Sequence, residues 1–243
     1  MRGLILCSLL AIAAGCGGAG AFALSADDNN PVALARAFAL EKRPLPGAPM
    51  NATGKPTAYF VALGSPKRLI AWDLAAGKTA WSVEANVTSR IAVGRDLVAH
   101  REGNDTIVAR DVHDGRLLWS AGLGNKTTFL GLAADVDRVY YVVQDDSRKR
   151  TWFLVALQGG RELWRAEAPG TLGAPAARGG LVFMPFMTQW LTILDALSGK
   201  QVARIRQSDE AISFVRTTPE GVYYGSRGSS PSMKSQSPGT RER

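Results

Sequence analysis

The sequence predicts an all-β fold, a partial β-propeller of about four four-stranded blades plus the start of a fifth, with a short N-terminal helix. Three observations predict it. Ala71–Trp81 and Ala109–Trp119 both read A-x-D-x-x-x-G-x-x-x-W. Weaker copies follow: Val155–Trp164 keeps Gly160 and Trp164 in a unit two residues shorter and without Asp, and Ile193–Lys200 keeps Asp195 and Gly199, with Ala203 at the Trp position. The turn glycines 77, 115, 160 and 199 are 38, 45 and 39 residues apart, roughly one four-stranded blade.

Elements follow in chain order. Met1–Gly15 reads as a signal peptide, with Arg2 as a minimal basic region and Leu4–Ala13 as an apolar stretch too short to remain as a membrane-spanning helix. It ends in Ala13-Ala14-Gly15-Cys16, which resembles a bacterial lipobox with Ala13 in place of the usual Leu. The cleaved chain would keep Cys16 as its only thiol, and lipidation accounts for an odd thiol in an oxidising compartment. Cys16 is thus the expected anchor and residues 16–56 the lipidated tether, short helix and linker. Gly17–Ala21 suits a flexible tether, Asn30-Pro31 would cap a helix running to Lys42, and four prolines mark residues 43–56 as linker.

Residues 57–225 form the expected propeller. Short β-branched or aromatic runs precede the turn motifs: Tyr59–Leu63, Asp96–Ala99, Arg138–Val143 and Leu181–Met184, with a fifth at Gly221–Tyr224. They have strand length and strand composition, and no long stretch here has helical periodicity. Each motif reads as a hairpin. Asp73 or Asp111 opens the turn through its carboxylate, and Gly77 or Gly115 takes the positive-φ position that closes it. Trp81, Trp119 and Trp164 are expected on the return strand as blade-to-blade docking residues rather than ligand-stacking platforms.

This phrase resembles the tryptophan-docking repeat of the pyrroloquinoline-quinone-like β-propellers. That superfamily includes quinoprotein dehydrogenases and the propeller lipoprotein of the bacterial outer-membrane barrel assembly machinery. The resemblance covers roughly residues 57–225 and implies a binding platform. Its enzymes use a vicinal disulfide, calcium ligands and a catalytic Asp. The mature chain has no Cys pair and is less than half the length such an enzyme needs, so no cofactor is expected, pyrroloquinoline quinone included.

The formal net charge is +8, of which the tail after Gly225 contributes +3, so the propeller is only mildly basic. The one basic cluster, Arg148–Arg150, adjoins Asp145-Asp146 and reads as a solvated loop, so no nucleic-acid role is expected. His100 and His113 stand in separate repeats without metal-ligand spacing, so neither a metal site nor a catalytic residue is expected. Gly122–Thr127 imitates a phosphate loop but lacks the adjacent Gly-Lys pair.

From Ser226 the composition turns to Ser, Arg, Gly and Pro, the pattern of a disordered basic tail (226–243). Two explanations fit a ring stopped in mid-blade: a truncated or frameshifted member, which is favoured, or an arc that closes on a second copy through its open blade edges. The expected function is a non-enzymatic, lipid-anchored scaffold of the bacterial envelope. It would face the periplasm from the outer membrane and bind envelope proteins through loops or edges, with outer-membrane protein assembly as the family analogy. The alternative is a quinone-dependent dehydrogenase-type propeller or its remnant.

Overall fold

The structure, a computed structural model, describes residue 22 and residues 54–124, 126–147, 150–206, 211–218 and 221–226. The signal peptide, Cys16, the expected helix to Lys42 and the tail after Ser226 lie outside the described residues.

Five antiparallel sheets follow one another along the chain, and no helix occurs among the described residues. The first holds β1 (Thr57–Ala62), β2 (Arg68–Asp73) and β3 (Lys78–Glu84). The second holds β4 (Ala92–Val93), β5 (Leu97–Glu102), β6 (Thr106–Asp111) and β7 (Leu117–Gly122). The third holds β8 (Thr127–Asp135), β9 (Arg138–Asp145), β10 (Thr151–Gln158) and β11 (Arg161–Ala168). The fourth holds β12 (Ala176–Arg178), β13 (Leu181–Phe186), β14 (Trp190–Asp195) and β15 (Gln201–Arg206), and the last holds β16 (Phe214–Thr218) and β17 (Gly221–Gly225). Every sheet is a meander in chain order, and the leading strands touch in succession: β4 meets β8, β8 meets β12 and β12 meets β16. Wedges stacked along one converging edge form the arc of a propeller.

Two details differ from the sequence expectation. The first sheet has three strands among the described residues, and the last has two. The fifth run, expected to open its sheet at Gly221, is the second strand there; β16 precedes it and pairs Phe214 with Gly225 through Thr218 with Gly221.

The core is divided among the seams between sheets. Leu69, Ala71, Trp81, Val87, Val98 and Val112 fill the first seam. Leu97, Ala99, Ile107, Val139, Tyr141 and Val155 fill the second. Tyr140, Val142, Leu154, Met184, Phe186 and Leu194 fill the third, and Leu181, Phe183, Leu191, Ile193, Ile212 and Val215 the fourth. Middle strands serve two seams at once. On β9, Val139, Tyr141 and Val143 face one way while Tyr140 and Val142 face the other, and all five are buried. A strand buried on both faces reads as a continuous apolar run, which is why these strands show no alternation.

The turns sort to two ends. The β2–β3, β6–β7, β10–β11 and β14–β15 turns share one end with the β4–β5, β8–β9 and β12–β13 turns. Backbone bonds tie them together there, Val112 N donating to Asp96 O, Asp96 N to Val136 O and Ala196 N to Gly180 O. At the other end lie the β5–β6, β9–β10 and β13–β14 turns with the inter-sheet connections. Gly103 N donates to Asn86 O and Met187 N to Thr171 O at that end.

Candidate functional site

The repeated motif builds the same corner in the first, second and fourth sheets. Asp73 Oδ1 accepts from Ala75 N and Ala76 N, both at 2.9 Å. Asp111 Oδ1 accepts from His113 N at 2.8 Å, and Asp195 Oδ1 from Ser198 N at 2.8 Å and Ser198 Oγ at 2.7 Å. These are turn-capping contacts, and each carboxylate spends an oxygen on its own backbone. Gly77, Gly115 and Gly199 close the turns at φ of 61°, 75° and 67°. The short copy solves the same problem differently. Gln158 pairs directly with Arg161, leaving a two-residue turn in which Gly159 and Gly160 both have positive φ. A turn of that type holds itself without a side-chain acceptor, so the missing Asp has a reason.

Sequence reading missed a bulge that recurs in all four return strands. The register slips between Ala71 and Trp72, Ala109 and Arg110, Ala156 and Leu157, and Ile193 and Leu194. One extra residue on β3, β7, β11 and β15 turns the following side chain back to the seam. The motif's leading residue then lies opposite the Trp: Ala71 opposes Trp81, Ala109 opposes Trp119 and Ala156 opposes Trp164. In the fourth copy the sizes exchange, and Ile193 opposes Ala203. A small residue beside an indole, or a large one beside Ala, keeps the layer at constant volume.

Each indole reaches the corner of the next sheet. Trp81 Nε1 donates to Val112 O at 2.9 Å, and Trp164 Nε1 to Ala196 O at 3.0 Å. A Cβ built on Gly115 would stand 2.7 Å from Trp81 Cε3, and one on Gly199 would stand 2.7 Å from Trp164 Cδ2. Trp119 meets Gly160 along its stem, 3.2 Å from Cβ to the Cβ that Gly160 lacks. The turn glycine therefore does two things at once: it takes the left-handed conformation and gives the preceding indole room to lie flat. Tyr140 joins the corner of the fourth sheet, its hydroxyl 3.4 Å from Ala196 O and its ring 6.0 Å from that of Trp164. Burial pushes the Tyr140 phenol above its ordinary range.

Three further features were not visible in the sequence. Phe22, far upstream, is 1% exposed and packs in the third seam, 5.3 Å from the Phe186 ring. Arg204 is also fully buried, with its guanidinium 5.5 Å from both the Phe186 and Trp190 rings and Nη2 2.6 Å from Gln201 Oε1. Stacking over two rings suits a desolvated guanidinium. His100 is fully buried beside the first seam, and neither ring nitrogen has a hydrogen-bond partner.

His100 gives a pH prediction. Burial lowers its pKa, outweighing the nearby Glu102 carboxylate and the polar backbone of Arg101, while the Arg110 guanidinium adds to the lowering. The unfolded ring titrates near its ordinary value of about 6.5, so below that pH the unfolded chain binds a proton that the folded chain refuses. Stability is complete above about 6.5 and falls as the pH drops from there toward the lower folded value. Thermal unfolding between pH 7 and 5 should show a steeper loss in the wild type than in His100→Leu, which leaves no orphaned imidazole. Parallel slopes would remove His100 as the cause.

No group of His, Cys, Asp and Glu among the described residues could hold a metal ion. The Asp, Gly and Trp positions are brought together as corners and seams, each indole of one sheet against the turn of the next. Cys16 lies outside the described residues.

A family model described as outer membrane protein assembly factor BamB matches residues 39–149 and 65–226. No curated protein matches the sequence. Among solved structures, the β-propeller domain of Myceliophteria thermophila Cps50 (Swd1) is similar at 14% identity and a TM-score of 0.52, covering 72% of this chain and 62% of that one. A europium-containing methanol dehydrogenase is similar at 12% identity and a TM-score of 0.48, covering 65% of this chain and 41% of that one. The chain thus spans about three fifths of the first structure and two fifths of the second. At such identity the Swd1 likeness shows the propeller fold alone.

Proposed function

The chain belongs to the family described as outer membrane protein assembly factor BamB, and from that premise we propose that it is a non-enzymatic, lipid-anchored propeller of the bacterial envelope that binds proteins of outer-membrane assembly. The observation that carries this reading is the family match, whose two spans together run from residue 39 to residue 226 and take in every seam. The motif carboxylates Asp73, Asp111 and Asp195 supply further support, because they are engaged with their own turns rather than offered to a substrate. Cys16 is the proposed acylation site, which would hold the chain at the outer membrane facing the periplasm. The proposal includes no quinone cofactor.

The test is expression of the full chain in a Gram-negative host with labelled palmitate, followed by membrane fractionation and crosslinking. The wild type is expected to incorporate label, sediment with the outer membrane and crosslink to the barrel assembly machinery. Cys16→Ser should lose the label and the membrane association. An unacylated wild type would refute the anchor, and acylation without any crosslink to the machinery would refute the partner. Saturable uptake of pyrroloquinoline quinone with calcium would refute the absence of a cofactor.

A further inference from the structure

Phe22 ties a distant part of the chain to one end of one seam. It lies against Phe186, the last residue of β13, at the end where the β13–β14 turn and the inter-sheet connections gather. Leu172 pairs with Phe186 across that connection and is buried with Phe22 in the same cluster. Phe22 follows Cys16 by only six positions, and six steps of fully extended chain reach at most ~22 Å. That limit holds for any conformation of the intervening chain.

The same end carries a surface suited to lipid. Trp190 is half-buried beneath the exposed Arg206, whose guanidinium is 5.4 Å from the indole, and Met187, in the β13–β14 turn beside Gly170, is 44% exposed. An indole with arginine over it and an exposed apolar side chain at the same end is the composition of a membrane–water interface. Arginine near an anionic leaflet is further favoured electrostatically. The opposite end of β14 differs: there Asp195 opens a corner made of backbone and carboxylate contacts.

We propose that Phe22 is a clamp that fixes the orientation of the anchored propeller, holding the β13–β14 end, with Met187, Trp190 and Arg206, against an anionic bilayer while the Asp–Gly corners face away. This rests on acylation of Cys16. The clamp turns a tether that would permit any orientation into one that permits a narrow range, because the seat of Phe22 lies within ~22 Å of the acylated residue's backbone.

The experiment uses the acylated full chain in vesicles of phosphatidylethanolamine and phosphatidylglycerol that carry a headgroup quencher. A fluorophore is placed at Gln189→Cys, beside the β13–β14 turn, or at Leu197→Cys, at the other end of the same hairpin; both positions are exposed. Quenching at 189 is expected to exceed that at 197 at least twofold. Phe22→Ala should bring the two toward equality. So should a chain with twelve Gly/Ser residues inserted between Cys16 and Phe22, which leaves the seam residues intact. Equal quenching in the wild type, stronger quenching at 197, or a difference that survives either change would overturn the proposal. Mass measurement of the mature N-terminus separates the two failures. An unacylated Cys16 removes the anchor and the orientation together, whereas an acylated chain with equal quenching removes the orientation alone.

Discussion

Trp81→Ala is expected to destabilise the first seam by about 3–5 kcal/mol, the range for removing a large buried aromatic. The indole is buried against Gly115, its N–H satisfies Val112 O, and the Tyr59 ring packs on it at 5.9 Å. Truncation opens a cavity and leaves Val112 O without that donor, two losses that add at one place. Trp81→Phe separates them, because it keeps most of the ring and loses the hydrogen bond; about 1–2 kcal/mol is expected. The loss should also be local. In a stack of repeats each unit contacts its neighbours, so damage at one seam propagates weakly. Hydrogen exchange is the measurement: amides of β2 and β3 should lose protection in Trp81→Ala while those of β13 and β14 keep theirs. Uniform loss across all five sheets would show that the arc unfolds as one unit and that the seams are not independent.

The legible part of this fold was the part with chemistry at fixed spacing. Asp73, Gly77 and Trp81 could be read as a hairpin because each residue type has its own conformational reason to be there, and three of the four copies keep enough of them. The short leading strands were not legible. β4 has two residues and β12 three, too few for a pattern, and β16, Phe214–Thr218, has a turn signal (Pro219-Glu220-Gly221) on its C-terminal side only. The bulges escaped for a related reason: Ala80, Leu118, Leu163 and Val202 are ordinary apolar strand residues with no turn or breaker among them, and only register reveals the extra residue. Phe22 carried no signal at all, since its partner Phe186 is remote in sequence and an isolated Phe in a small-residue stretch has no periodicity to mark it. Arg204 and His100 went against the expectation that buried positions are apolar. A guanidinium that stacks on two rings and an imidazole left neutral both depend on tertiary neighbours.

The turn glycines allow the seam contact to be measured without removing an indole. Gly77, Gly115 and Gly199 share a positive φ, so alanine at any of them incurs the left-handed penalty of about 1–2 kcal/mol. They differ in what a Cβ would meet. At Gly77 nothing lies within 4 Å, whereas at Gly115 and Gly199 the new carbon would stand 2.7 Å from an indole carbon of the preceding sheet. Gly77→Ala should therefore show the backbone penalty alone. Gly115→Ala and Gly199→Ala should cost a further ~1–3 kcal/mol as the indole is forced from its seat. The excess should vanish when the indole is absent. In a Trp164→Ala background, Gly199→Ala should cost no more than Gly77→Ala does in the wild type, a coupling of about 1–3 kcal/mol between residues 35 positions apart in sequence. Chemical denaturation of the four members of that cycle supplies the number. A coupling near zero would mean that the ring and the turn merely lie near one another, and that the repeated Gly is present for its backbone conformation alone.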